Sequence, residues 1–151
     1  MISKCFSCLD ARFFRQEDLG KSLGGVTIPI LKITNPDPGT VVTYNKEKPI
    51  IVVIGRQHSG ETHSSFIIHG LINFLLTKDL FSHKLRELFE WWILPIVNPD
   101  GVIVGNYRNN LQGKDMNRHF FSDSPDDPDA VQQGRCHEVE LLRTYLKENC
   151  D

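Results

Sequence analysis

Two apolar runs, the unbroken Ile50 to Ile54 and Trp91 to Val97, bracket a stretch of helical periodicity, and this alternation constrains the fold more than any other feature of the chain. A short continuous apolar run fits a strand buried on both faces. Between the runs, Phe66, Ile67, Gly70, Leu71, Phe74 and Leu75 recur at the spacing of one helical face, and Leu85, Leu88 and Phe89 predict a second, shorter helix. Strand, loop, helices and strand together make a crossover unit. Upstream, Val26 to Ile33 alternates around Pro29, and a proline confines a strand to a sheet edge or a bulge. Beyond the Asn35-Pro36-Asp37-Pro38-Gly39 turn, Val41 to Tyr44 reads as the returning strand of a hairpin. The expected fold is therefore α/β, with a mixed, mostly parallel sheet and helices on both faces.

Asn98-Pro99-Asp100-Gly101 is a strong turn signal, residues 101 to 120 are polar, and residues 122 to 129 read as a surface loop. Val139, Leu142 and Leu146 mark a last helix. An α/β domain would next need a strand on which that helix can close, so residues 1 to 151 are expected to form a single partial domain, incomplete at its C-terminus.

At 151 residues, 40% of them hydrophobic and 24% charged, the chain can build one globular core. A net charge of -2 gives none of the general attraction that a nucleic-acid or anionic-membrane partner needs, so neither is expected. The first ten residues hold too short an apolar run for a signal peptide, and no segment approaches the roughly 20 apolar residues of a membrane span. Of Cys5, Cys8, Cys136 and Cys150, the first two form a C-x-x-C pair, but no second pair follows, and free thiols in a reducing, cytoplasmic setting are the expectation.

The loop after the first apolar run reads Gly55-Arg56-Gln57-His58-Ser59-Gly60-Glu61. It places an imidazole and a carboxylate three residues apart at a strand's C-terminal end, where open α/β sheets bind ligands. Zn²⁺ accepts nitrogen and oxygen donors of this kind and keeps a position for water in catalytic sites. Taken alone, His-x-x-Glu in a chain with six histidines is weak, and a loop His beside a helix N-terminal Glu explains it equally well.

Some forty residues on come Asn98-Pro99-Asp100-Gly101, then Gly105-Asn106-Tyr107-Arg108, then Asp115-Met116-Asn117-Arg118. In this order and spacing, the four segments resemble the zinc carboxypeptidase family, most closely its cytosolic carboxypeptidase branch, over roughly residues 20 to 148. The resemblance implies an α/β/α sandwich, a Zn²⁺ cofactor with His58 and Glu61 as its first two ligands, and Arg108 as the group that polarises the scissile carbonyl. It also implies that Asn117 and Arg118 hold the substrate's terminal carboxylate, which would make the enzyme an exopeptidase. Asp115 is assigned to support of the loop. By the same resemblance the substrates are acidic C-terminal tails, tubulin's among them, trimmed of glutamate in the cytoplasm or at the cytoskeleton. The family's third ligand, a histidine, and its general-base glutamate lie further downstream, and Glu138, Glu140 and Glu148 match neither, so the chain as given is expected to lack full activity.

Two other readings stay open. A zinc acylase of the aspartoacylase type shares a similar metal turn and Asn-Arg segment, and a non-catalytic remnant could bind acidic tails through Arg108, Asn117 and Arg118 without hydrolysis. His63, His69, His83 and His137 are read as surface or satisfied core residues, with His83 in a connecting stretch. Trp91 and Trp92, alternating on a strand, are read as cover and core.

Overall fold

The computed structural model describes residues 13–36, 48–120 and 135–150. A four-stranded sheet runs in the order β1-β2-β4-β3, formed by β1 (Phe14–Lys21), β2 (Thr27–Ile33), β3 (Ile50–Ile54) and β4 (Glu90–Leu94). The helices are α1 (His63–Leu75), α2 (Leu80–Leu88), α3 (Pro99–Val104) and α4 (His137–Cys150).

The sheet is mixed, as expected, but among the described residues only β3 and β4 pair in parallel, while β1 with β2 and β2 with β4 are antiparallel. The parallel pair is the one joined by the α1–α2 crossover, because parallel neighbours need a long connection and antiparallel ones do not. Strand β1 went unread in the sequence, since Phe14–Lys21 is polar at most positions. Its polarity suits the end of the sheet, where only Leu19 is fully buried. The segment Val41 to Tyr44, expected as a hairpin partner, lies outside the described residues.

Pro29 does not place β2 at an edge, because β2 lies between β1 and β4. It sits opposite Asp18, where the register shifts between Asp18 and Gly20, and β4 pairs only with Leu31 to Ile33. The missing N–H is thus accommodated at a bulge, the other position open to a strand proline. Strand β3 also differs from expectation. It ends the sheet among the described residues and is half-buried, with Val52 36% exposed.

Alternate residues divide the core between the two faces, as a pleated sheet requires. On one face Ile28, Ile30, Trp92 and Leu94 pack with Val139 and Leu142 of α4. On the other, Leu31, Ile33 and Ile93 pack with Ile68, Ile72 and Leu75 of α1. Helices therefore cover both faces. The buried stripe of α1 only partly matches the one read from the sequence: Leu75 is buried and Leu71 packs against the core, but Phe66, Ile67 and Phe74 are exposed. In a segment apolar nearly all round, Ile68, Ile72 and Leu75 satisfy the helical period equally well, and the sheet selects them. In α2 the buried positions are Ser82 and Arg86, while Leu88 is exposed. The Arg86 guanidinium satisfies carbonyls of Leu75 and Thr77, closing the end of α1 against α2.

Trp92 is fully buried and Trp91 half-buried, the core and cover that alternation predicts. The Trp92 indole N–H donates to Glu90 Oε1 at 2.7 Å, and Lys32 Nζ lies 4.1 Å from the ring centroid and 3.1 Å from Glu17 Oε2. Among the described residues no helix is long and apolar enough to cross a membrane. Cys136 is buried, and burial pushes its thiol up to about 11, far from the reactive range. Cys5 and Cys8 lie outside the described residues.

Candidate functional site

Asn98-Pro99-Asp100-Gly101 is the start of a helix, which corrects the turn reading. Asn98 caps α3, its Oδ1 accepting from the Gly101 N–H at 3.0 Å, and proline takes the first turn, where its missing N–H costs nothing. The cap also reaches outward. Asn98 Nδ2 donates to the carbonyls of Gln57 and Asn109, each at 3.3 Å, so it bridges the loop after β3 and the loop after α3. Asp100 accepts from Ser22 Oγ at 2.7 Å and the Gly24 N–H at 2.8 Å, fastening the β1–β2 turn to the same helix end.

The loop after β3 and the loop after α3 are stitched along their length. Ser59 Oγ donates to the Asn106 carbonyl at 2.7 Å, and the Gly60 N–H donates to the Tyr107 carbonyl at 2.6 Å. Asn106 Nδ2 donates to the Asn109 and Asn110 carbonyls. From the opposite side, buried Asn110 donates to Glu138 Oε2 on α4 at 2.7 Å, while its Oδ1 accepts from the N–H groups of Gln112 and Lys114. Two loops and the start of α4 thus form one hydrogen-bonded block.

Within that block His58 is buried, with Nδ1 2.9 Å from Glu61 Oε1 and Nε2 3.0 Å from Asp115 Oδ1. The other oxygen of Asp115 accepts from Arg108 Nε at 2.6 Å and lies 3.8 Å from Arg118 Nε. Asp115 also caps the short 3₁₀ helix Met116–Arg118 by accepting from the Asn117 N–H at 3.0 Å. Burial alone would raise the Asp115 carboxyl, but hydrogen bonds from Arg108, His58 and the Asn117 N–H, with the Arg108 charge, hold it below the usual carboxylate range.

All five residues singled out in the sequence therefore neighbour one carboxylate: His58, Arg108, Arg118 and Asn117 by contact with Asp115, and Glu61 through His58. Asp115 does support its loop, but sequence reading missed that it also orients the imidazole and the guanidinium. The available signal was an aspartate two residues before Asn117, within reach of a histidine that is a metal candidate. Arg108 is 40% exposed at its side chain and Arg118 is 74% exposed. His63, His69 and His83 are exposed, with His83 inside α2 and not in a connection. His137 opens α4, its Nε2 2.8 Å from the Lys21 carbonyl, and His119 is buried at the end of the 3₁₀ helix.

The donor set fits zinc. With its one N–H at Nε2, toward the Asp115 carboxylate, a neutral imidazole would present the Nδ1 lone pair beside Glu61 Oε1. Two acceptors 2.9 Å apart repel unless a proton or a cation lies between them, and two ligands of a tetrahedral zinc stand about 3.3 Å apart. Among the described residues no group of three or more His, Cys, Asp or Glu side chains is placed to hold a metal ion, since Asp115 occupies the far side of the ring.

Similar sequences and folds are found among known proteins. Cytosolic carboxypeptidase 6 of Mus musculus is 42% identical over 113 residues, covering 75% of this chain and 20% of that protein. Cytosolic carboxypeptidase 1 of Danio rerio is 34% identical over 143 residues, covering 93% of this chain and 12% of its relative. This chain thus spans about a fifth or less of these relatives' lengths. Among solved structures, a metallo-carboxypeptidase from Burkholderia cenocepacia superposes with a TM-score of 0.74 at 26% identity, over 96% of this chain and 35% of its own. One from Pseudomonas aeruginosa, in complex with (2-guanidinoethylmercapto)succinic acid, gives 0.71 at 27% identity, over 98% and 35%. The zinc carboxypeptidase family profile matches residues 8–141. The chain belongs to the zinc carboxypeptidase family, whose members depend on zinc.

Proposed function

We propose that this chain carries the zinc-binding and substrate-clamping half of a metallocarboxypeptidase that removes C-terminal residues, glutamate above all, from acidic protein tails. The observation that supports this reading is the convergence on Asp115 of an imidazole and two guanidinium groups, with the Glu61 carboxylate on the other side of the ring. His58 and Glu61 would hold the zinc, which when bound supplies a Lewis acid and a water of lowered pKa. Asp115 keeps the ring turned so that Nδ1 faces Glu61. Arg108 is anchored through Nε, which leaves its terminal N–H groups to polarise a peptide carbonyl. Asn117 and the exposed Arg118 receive the substrate's terminal carboxylate, Arg118 through its planar fork. A clamp that demands a free carboxylate selects the last residue of a chain.

The third ligand and the proton-accepting glutamate are proposed to lie outside these residues. Glu138 does not replace them, because it is buried against Asn110. Similarity to the cytosolic carboxypeptidases extends the proposal to tubulin tails and to a cytoplasmic, cytoskeleton-associated location.

The test is zinc stoichiometry and affinity of the 151-residue chain beside a longer chain extended downstream, each with His58→Ala and Glu61→Ala. Zinc binding and release of terminal glutamate by the longer chain alone support the proposal. Tight one-to-one zinc in the 151 residues, lost in both variants, would show that the site is complete here. Turnover of an N-acyl amino acid in place of a glutamate-tailed peptide would make the protein an acylase, and binding without turnover would make it a tail-binding remnant.

A further inference from the structure

Arg56 is the one described residue other than glycine with positive φ, at +50°. A side chain with a Cβ adopts this region at a cost, and such outliers persist where surrounding contacts over-determine them. Here the contacts are explicit. The Arg56 N–H donates to Ser64 Oγ at 3.1 Å, Nη1 donates to Ser65 Oγ at 3.3 Å, and Nε donates to the Ser59 carbonyl at 2.9 Å. The first two tie it to the opening turn of α1, and the third returns it to the loop that carries His58 and Glu61.

The Ser59 carbonyl belongs to the same peptide unit as the Gly60 N–H, which donates to the Tyr107 carbonyl. One rigid plane, midway between His58 and Glu61, is thus gripped at its oxygen by Arg56 and at its nitrogen by the loop that bears Arg108. Rotation of that plane would carry the imidazole and the carboxylate in different directions. The left-handed backbone at Arg56 turns the chain so that its own guanidinium folds back over the following three residues.

We infer that Arg56 is a positioning residue for the metal turn: it locks the Ser59–Gly60 peptide and so fixes the separation of His58 and Glu61. The inference rests on the proposed zinc reading for its consequence but not for its geometry. Arg56 touches neither metal nor substrate in this role.

The decisive variants are Arg56→Gly, which accepts the positive φ and deletes the guanidinium, and Arg56→Lys, which keeps the charge but not the directed Nε donor. Two readouts are taken on the 151-residue chain and on a longer chain extended downstream: amide hydrogen exchange at Gly60 and Glu61 without metal, and zinc affinity by competition with a chelator. The expected result is faster exchange confined to these amides and zinc binding roughly 10-fold weaker or more, as for other residues that orient a ligand, with little change in the unfolding midpoint of Arg56→Gly. Unchanged exchange in both variants overturns the inference even where wild type binds zinc. Faster exchange in both lengths of chain, with no zinc bound by the longer one, upholds the grip of Arg56 and overturns the zinc reading. If Arg56→Gly fails to fold, Arg56→Lys carries the comparison with the same two readouts.

Discussion

Gly60→Ala tests whether the two site loops are as tightly joined as their hydrogen bonds indicate. An added Cβ would lie 2.6 Å from Tyr107 Cδ2, 2.7 Å from the Tyr107 carbonyl oxygen and 3.1 Å from its Cα. The ring is 79% exposed and can swing away. The carbonyl and Cα cannot, because the 106–110 segment is held by Ser59, Asn98 and its own asparagine side chains. Reaching ordinary contact at 3.4 Å means opening the loops by about 0.7 Å at the carbonyl, which also stretches the 2.6 Å bond from the Gly60 N–H. Overpacking of this kind costs about 1–3 kcal/mol and a weakened hydrogen bond about 1 kcal/mol, offset by up to ~1 kcal/mol from the stiffer unfolded chain. The expected net loss is about 2 kcal/mol, or roughly 4–8 °C in Tm for a chain of this size. Urea denaturation followed by tryptophan fluorescence measures it. Gly70→Ala is the control, since nothing lies within 4 Å of its added Cβ inside α1, and there the same methyl should stabilise by ~0.5–1 kcal/mol. Equal midpoints for Gly60→Ala and wild type, or an equal loss at Gly70→Ala, would refute the claim that the loops are locked.

Asp115→Asn should flatten the acid limb of the stability curve. The carboxyl is held below its ordinary value in the folded chain, so its contribution is present above the unfolded pKa of about 3.9 and is lost as pH falls through the folded one; the gap between the urea midpoints of wild type and variant should narrow as pH is lowered from about 6 toward 3. Trp92→Phe removes the indole donor to buried Glu90, whose second oxygen already has no partner, and should cost about 2–3 kcal/mol by thermal unfolding. Lys32→Met keeps the stem packed on Trp92 and leaves Glu17 partly in solvent, so the loss should stay within about 2 kcal/mol, and a loss above 4 kcal/mol would mean that the ion pair is held more tightly than its exposure allows.

What the sequence disclosed about the fold followed the strength of local patterning. The two apolar runs and the helices between them were legible because each element buries its face against a neighbour a few tens of residues away. Strand β1 was not legible, because Arg15, Glu17 and Asp18 serve a polar sheet end and ion pairs with Lys32 and Glu90 that only the tertiary fold supplies. The face of α1 was misread at its start because Phe66-Ile67-Ile68 offers the helical period two solutions, and no local rule chooses between them.

The site was legible in a different way. Its residues were picked out by motif, and what the motif could not convey is why segments 40 residues apart need one another. Asn98 supplies part of the reason, since its amide completes a helix cap and simultaneously satisfies carbonyls of both site loops, so the Asn-Pro-Asp-Gly segment is structural cement for a site it does not enter. Asp115 supplies the rest. A carboxylate that binds an imidazole, a guanidinium and a backbone N–H together couples the orientation of the candidate metal ligand to that of the candidate carbonyl-polarising group. Substitutions at Asp115 and at His58 or Arg108 should then be non-additive, because each removes the partner through which the other acts.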